Sequence, residues 1–181
     1  MATTKWSLDT MHSELGFKIK HLMISSVSGS FSKFDVQTET AADDFSDAKV
    51  TATVDVTSIN TNNAQRDEHL RNADFFETDK HPEITFKSTK VKKLDRDSFE
   101  LTGDLTIREI TKPVTLAVEY NGTAKDPWGN LKAGFTVTGK INRKDFGISY
   151  NAVMETGGVM LGEDVKINAE IQLVKQVEVL A

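Results

Sequence analysis

The densest run of chemically capable side chains is Arg66-Asp67-Glu68-His69-Leu70-Arg71, two guanidinium groups, two carboxylates and an imidazole in one short stretch. Guanidinium forks hold phosphate oxygens through paired N–H donors, so Arg66, His69 and Arg71 could meet an anionic or polar head group. The competing reading is architectural: Arg66 and Asp67 spend their hydrogen bonds docking a short helix. The four histidines form no metal set, because no pair among His12, His21, His69 and His81 has the i, i+2 or i, i+4 spacing of ligands. The sequence contains no G-x-S-x-G elbow, P-loop lysine, G-x-G-x-x-G after a strand, or H-E-x-x-H. Asp95-Arg96-Asp97 resembles a calcium loop only until its sixth position, where Glu100 stands in place of the required glycine, so a turn is expected. With no Cys, disulfides, thiolate metal sites and thiol catalysis drop out together. The net charge of -5 makes a duplex phosphate backbone a poor partner. Neither a catalytic residue nor a metal site nor a resident cofactor is expected.

The elements around these residues read as strands. A chain of 181 residues predicts one domain over residues 1–181, and 38% apolar residues suffice for its core. Val50, Ala52, Val54 and Val56 alternate with polar residues, the pattern of a strand with one wet and one dry face. Phe99, Leu101, Gly103, Leu105 and Ile107 share one parity, as do Val114, Leu116, Val118 and Tyr120. Leu131 to Ile141 and Val165 to Leu173 repeat the beat, and less regular stretches around Trp6, Phe17, Phe31 and Phe86 bring the expectation to eight or nine strands. Short gaps make them antiparallel. Asn121-Gly122 and Asp126-Pro127-Trp128-Gly129 are read as turn chemistry around one hairpin, and Gly157-Gly158 as a loose loop. Asn121-Gly122-Thr123 also fits the glycan acceptor pattern, but a hairpin turn explains it more simply. Alternation stops between Thr57 and Glu83, where Ala64 to Arg71 reads as a short polar helix; Arg143 to Gly162 is a second, weaker helix or loop.

So many antiparallel strands must close into a barrel or split into a sandwich. Gly103, Gly134 and Gly139 favour the barrel, since glycine inside a strand marks a sharp bend or space for another molecule. In a sandwich the phenylalanines are plain core; in a barrel, core and ligand pocket are one face. The N-terminus lacks the basic and apolar regions of a secretory signal, and no stretch reaches the roughly 20 apolar residues of a membrane span. The chain as given is therefore expected in the cytoplasm, or in the periplasm or secreted if a signal peptide was removed.

Several segments, in order, resemble the YceI-like family of lipid-binding proteins. They are Trp6-Ser7-Leu8-Asp9 with His12-Ser13, Phe17 with His21-Leu22, Val27 to Phe31, and Arg66 to Arg71 with Asp74-Phe75-Phe76. His81 to Ser88, Gly103 to Ile107 with Thr111-Lys112-Pro113-Val114, Arg143 to Gly147 and Val165-Lys166-Ile167 complete the series. One departure is Glu109 after Arg108, where the family commonly has glycine. The resemblance implies an all-β, extended lipocalin-like antiparallel eight-stranded barrel with a short inserted helix, often a homodimer. Its elongated cavity would hold a polyisoprenoid, a quinone or another long-chain fatty amphiphile.

Burying an aliphatic tail releases about 0.8 kcal/mol per CH₂, so ~20 carbons supply on the order of 16 kcal/mol before ordering costs. The residues expected to line the tail are Phe17, Ile19, Phe31, Phe34, Phe75, Phe76, Phe86, Leu101, Leu105, Phe135 and Val137, with His21, Arg66 and His69 at the mouth. The function expected is carriage or sequestration of an isoprenoid-type lipid such as a polyprenyl phosphate or quinone. Two alternatives are an enzyme acting on a bound lipid, with His21, His69 or Asp67 as acid or base, and an interaction module built on an inert barrel.

Overall fold

A computed structural model describes residues 3–41, 44–151 and 161–176. Its strands are β1 (Thr4–Leu8), β2 (Glu14–His21), β3 (Ser25–Phe31), β4 (Phe34–Thr40), β5 (Lys49–Asp55) and β6 (Ile59–Asn60). After the helix α1 (Ala64–Arg71) come β7 (Glu83–Lys93), β8 (Ser98–Ile107), β9 (Ile110–Lys125), β10 (Leu131–Asn142) and β11 (Leu161–Lys175).

The expectation of eight or nine strands is met by eight wall strands, which appear as eleven segments among the described residues because three of them are each interrupted once. β1 pairs with β4 and β2 with β3 in nearly continuous register, Ser7 opposite Gln37 and Leu15 opposite Phe31. Likewise β5 continues into β6, since Phe34 lies opposite Val54 and Ser30 opposite Asn60. Each break is closed by polar side chains. Asp9 accepts from the Met11 amide at a 3₁₀ turn over Thr10–His12, Asp55 accepts from Thr57 at Val56–Ser58, and Ser58 Oγ accepts from the Lys33 amide. β1 also pairs with β11, Trp6 opposite Lys175, which closes β1, β4, β5, β7, β8, β9, β10 and β11 into an eight-stranded antiparallel barrel. The β2, β3 and β6 segments extend the wall from β11 at one end, and α1 packs against β6.

Helix α1 begins and ends at the residues read from the sequence, capped by Asn63, whose side chain accepts from the Arg66 amide. One turn reading changes. Asn121-Gly122 is not a hairpin turn but a bulge inside β9: Phe135 pairs with Tyr120 and Gly134 with Gly122, leaving Asn121 without an opposite residue, and Gly122 takes φ +105°. The hairpin itself turns through Asp126–Gly129, where Asp126 accepts from the Trp128 and Asn130 amides. Residues Arg143–Phe146 form a 3₁₀ turn, while Gly157 and Gly158 lie outside the described residues. The glycine reading is also modified: a Cβ on Gly103 would lie 2.5 Å from both the Phe86 ring and the Lys87 carbonyl, so that space belongs to the protein's own packing.

Candidate functional site: a hydrocarbon-lined barrel cavity

The parity that made these strands legible also builds the site. Side chains of alternate residues point inward, and the inward sets of all eight long strands surround a cavity of about 590 Å³. That volume falls within the usual range for small-molecule sites. All fourteen residues expected to contact a ligand line this one cavity: Phe17, Ile19, His21, Phe31, Phe34, Arg66, His69, Phe75, Phe76, Phe86, Leu101, Leu105, Phe135 and Val137.

The cavity wall is almost entirely hydrocarbon along its length and polar at one end. Apart from Thr38, its polar groups are His21, Thr61, Arg66, His69, Arg143 and Tyr150, all beside α1, the start of β11 and the end of β10. Asp67, buried in α1, accepts from both the amide and the hydroxyl of Thr61, at 2.9 and 2.5 Å. Arg66 donates from Nε to Thr61 Oγ1 at 2.8 Å and from Nη2 to the Thr61 carbonyl at 2.6 Å. Arg71 donates to the carbonyls of Thr57 and Ile59. The helix is thus docked by the groups that could otherwise have met a ligand. Asp67 has no hydrogen bond to His21 or His69; the His69 ring pairs with Asp74 at 2.9 Å and packs edge-on against Phe75 and Tyr150. Among the described residues no group of three or more His, Asp or Glu side chains could hold a metal ion.

The opposite end is shut by rings. Phe45, held at φ +62° in the loop between β4 and β5, lies 5.2 Å from Trp6, 5.6 Å from Tyr120 and 5.1 Å from Phe135, centroid to centroid. At the start of β10, on the opposite parity from Phe135, Lys132 bonds Asp9 at 2.5 Å. Lys132 first, then His12, holds the Asp9 carboxyl down at about 2.

A domain model described as YceI-like matches residues 6–173, nearly the whole described barrel. The chain belongs to the YceI-like family. A UPF0312 protein of Staphylococcus aureus strain N315 is 48% identical over 170 residues, spanning 93% of this chain and 96% of that one. The crystal structure of a Campylobacter jejuni YCEI protein, 35% identical, superposes with a TM-score of 0.74 over 94% of this YceI-like chain and 97% of the other. A polyisoprenoid binding domain from Saccharophagus degradans shares the fold at 16% identity, with a TM-score of 0.66 over 94% and 98% of the two chains. Among the described residues of this YceI-like protein, no helix is long and apolar enough to cross a membrane.

Three residues of the polar end were not among those expected at the cavity: Thr61, Arg143 and Tyr150. Arg143 is 3% exposed and lines it, and Tyr150 lines it while half open to solvent. A sequence signal existed for Arg143. It continues the parity of Leu131, Ala133, Phe135, Val137, Gly139 and Ile141, so a charged residue falls on an otherwise apolar face. Phe45 carries no such signal, standing alone among polar residues.

Proposed function

We propose that this YceI-like protein binds a long-chain isoprenoid-type lipid, a polyprenyl phosphate or an isoprenoid quinone, inside the barrel and carries or sequesters it unchanged. The observation that carries the reading is a 590 Å³ cavity walled along its length by Phe, Leu, Ile and Val from every long strand. Apolar surface of that extent gains free energy by covering hydrocarbon, and nondirectional contacts admit any tail of suitable girth. The fold shared with a polyisoprenoid binding domain supports the same ligand class. The polar groups at one end suit an amphiphile that enters tail first.

Organic extraction of the purified protein, followed by mass spectrometry, should release a long-chain lipid in amounts approaching one per chain. Protein stripped of lipid should then bind geranylgeranyl phosphate or a long-chain quinone saturably. Stripped, folded protein that takes up neither overturns the reading.

A further inference from the structure

Arg143 is a buried cation whose hydrogen bonds are incomplete. A guanidinium carries five N–H donors. In Arg143, Nε donates to the Gly162 carbonyl at 2.8 Å, and Nη1 donates to the carbonyls of Ile148 and Tyr150, each at 2.8 Å. Nη2 is buried and has no partner among the described residues. All three acceptors are backbone carbonyls, which orient the fork without neutralising its charge. The acidic residue that acts on it electrostatically, Glu163, is itself bonded to Lys144 at 2.8 Å. Desolvation of Arg143 penalises its charged form, so a partner of opposite charge has much to offset.

Position supplies the second half of the argument. Arg143 lines the cavity at its polar end with Tyr150 and His69, one residue past β10 and in the parity of its inward set. Arg66 reaches the same cavity, but its Nε and Nη2 are spent on Thr61. We propose that Arg143 Nη2 is the head-group donor of this cavity and that the protein selects long-chain lipids ending in an anionic oxygen, as in a prenyl phosphate, over neutral lipids with the same tail. This rests on the lipid-binding reading and sharpens it. The charged end of the ligand sits beside β10's exit and its tail runs toward the rings at the other end. Quinones and free prenols become the weaker ligands.

The test compares geranylgeranyl phosphate with geranylgeraniol, which share one tail, by calorimetric titration of stripped wild-type protein. The phosphate is expected to bind about tenfold tighter or more, the value of a charge-assisted hydrogen bond. Arg143→Gln should abolish that preference while keeping affinity for geranylgeraniol, and inorganic phosphate should displace neither lipid. Equal binding of both lipids by wild type overturns the inference and leaves lipid binding intact. A folded Arg143→Gln that keeps the preference also overturns it, as does displacement by free phosphate. Failure of both lipids to bind removes the underlying reading as well. Because Arg143 also ties three carbonyls, the variant can fail to fold. A crystal structure of the wild-type complex then decides, with a phosphate oxygen within hydrogen-bond distance of Nη2 expected and a phosphate at the ring-filled end contradicting the proposal.

Discussion

Where β10 begins, four rings, Trp6, Phe45, Tyr120 and Phe135, meet at centroid distances of 5.1 to 5.6 Å; where it ends, Arg143, Arg66, His69 and Tyr150 border the same cavity. Among the described residues each end holds one buried side-chain nitrogen without a partner, Trp6 Nε1 at the first and Arg143 Nη2 at the second. The two are not equivalent. The indole nitrogen is neutral and lies off the cavity wall among rings, a packing cost of about 1–3 kcal/mol absorbed by aromatic burial. The guanidinium is charged and belongs to a residue that lines the cavity. An unsatisfied donor therefore reads as a site only when its charge and its position both invite an acceptor.

Truncation at the two ends should separate packing from recognition. Phe45→Ala removes the central ring of the closed end and should cost about 3–5 kcal/mol in chemical denaturation. Tyr150→Ala, at 40% exposure, should cost less than about 1 kcal/mol. Equal losses would mean that both ends are ordinary core and would break the comparison. The same Phe45→Ala protein should accept longer tails, because the ring cluster is where the hydrocarbon path stops.

The next effect lies in the helix dock at the polar end. Thr61→Val keeps the shape but removes a buried hydroxyl that donates to Asp67 and accepts from Arg66. A loss of about 2 kcal/mol is expected, since two charged side chains each lose a partner. An unchanged midpoint would show that the α1 anchoring groups are free for a ligand after all, restoring Arg66 as the head-group residue.

These contrasts show what the sequence could and could not disclose. The inward faces of β8, β10 and β11 follow from strict alternation, because a period of two has one physical interpretation in a barrel wall. Helix α1 is equally plain, since Asn63 caps a run that breaks the alternation. The three interrupted strands are not, because closure depends on pairings such as Trp6 with Lys175 that no local pattern encodes. Asn121-Gly122 misleads for a related reason: glycine at φ +105° serves a bulge as well as a turn, and only the register with Gly134 distinguishes them. Which polar donor is left unsatisfied at the cavity depends on burial as well as on hydrogen bonds: Arg66 is exposed and bonds Thr61, whereas Arg143 Nη2 is buried with no partner among the described residues.

Acid should act on the two ends unequally. Asp9, its side chain 12% exposed, pairs with Lys132, and its carboxyl is held at about 2, below the ordinary 3.8. A lowered carboxyl contributes stability that is complete above its ordinary value and disappears as pH falls through about 2. Asp9→Asn should therefore cost about 1 kcal/mol near neutrality, with the gap to wild type narrowing as pH approaches 2. At the polar end, Glu163 is lowered chiefly by its bond to Lys144, yet both partners are about half exposed, so Glu163→Gln should leave the acid limb almost unchanged. A larger acid effect from Glu163 than from Asp9 would overturn this contrast between the ends.

The smallest effect belongs to the β8–β9 hairpin beside the cavity's polar end. Ile107 pairs with Ile110, so Arg108 and Glu109 alone make the turn, at φ +51° and +66°. A two-residue turn with both angles positive matches the twist of the flanking strands but suits glycine and asparagine, not long side chains. The departure from the family's glycine thus leaves the turn type intact and places its cost in the backbone. Arg108 recovers part of that cost by donating to the Gly147 carbonyl at 3.0 Å, next to the 3₁₀ turn that carries Arg143. Glu109 has only a 3.7 Å contact with His81 and is almost fully exposed. Glu109→Gly should raise stability by about 0.5–1 kcal/mol in denaturant titrations without altering lipid affinity. A stabilised variant that also bound a prenyl phosphate more tightly would mean that strain in this hairpin reaches the head-group donor through Gly147, coupling the two features of the open end that the geometry keeps separate.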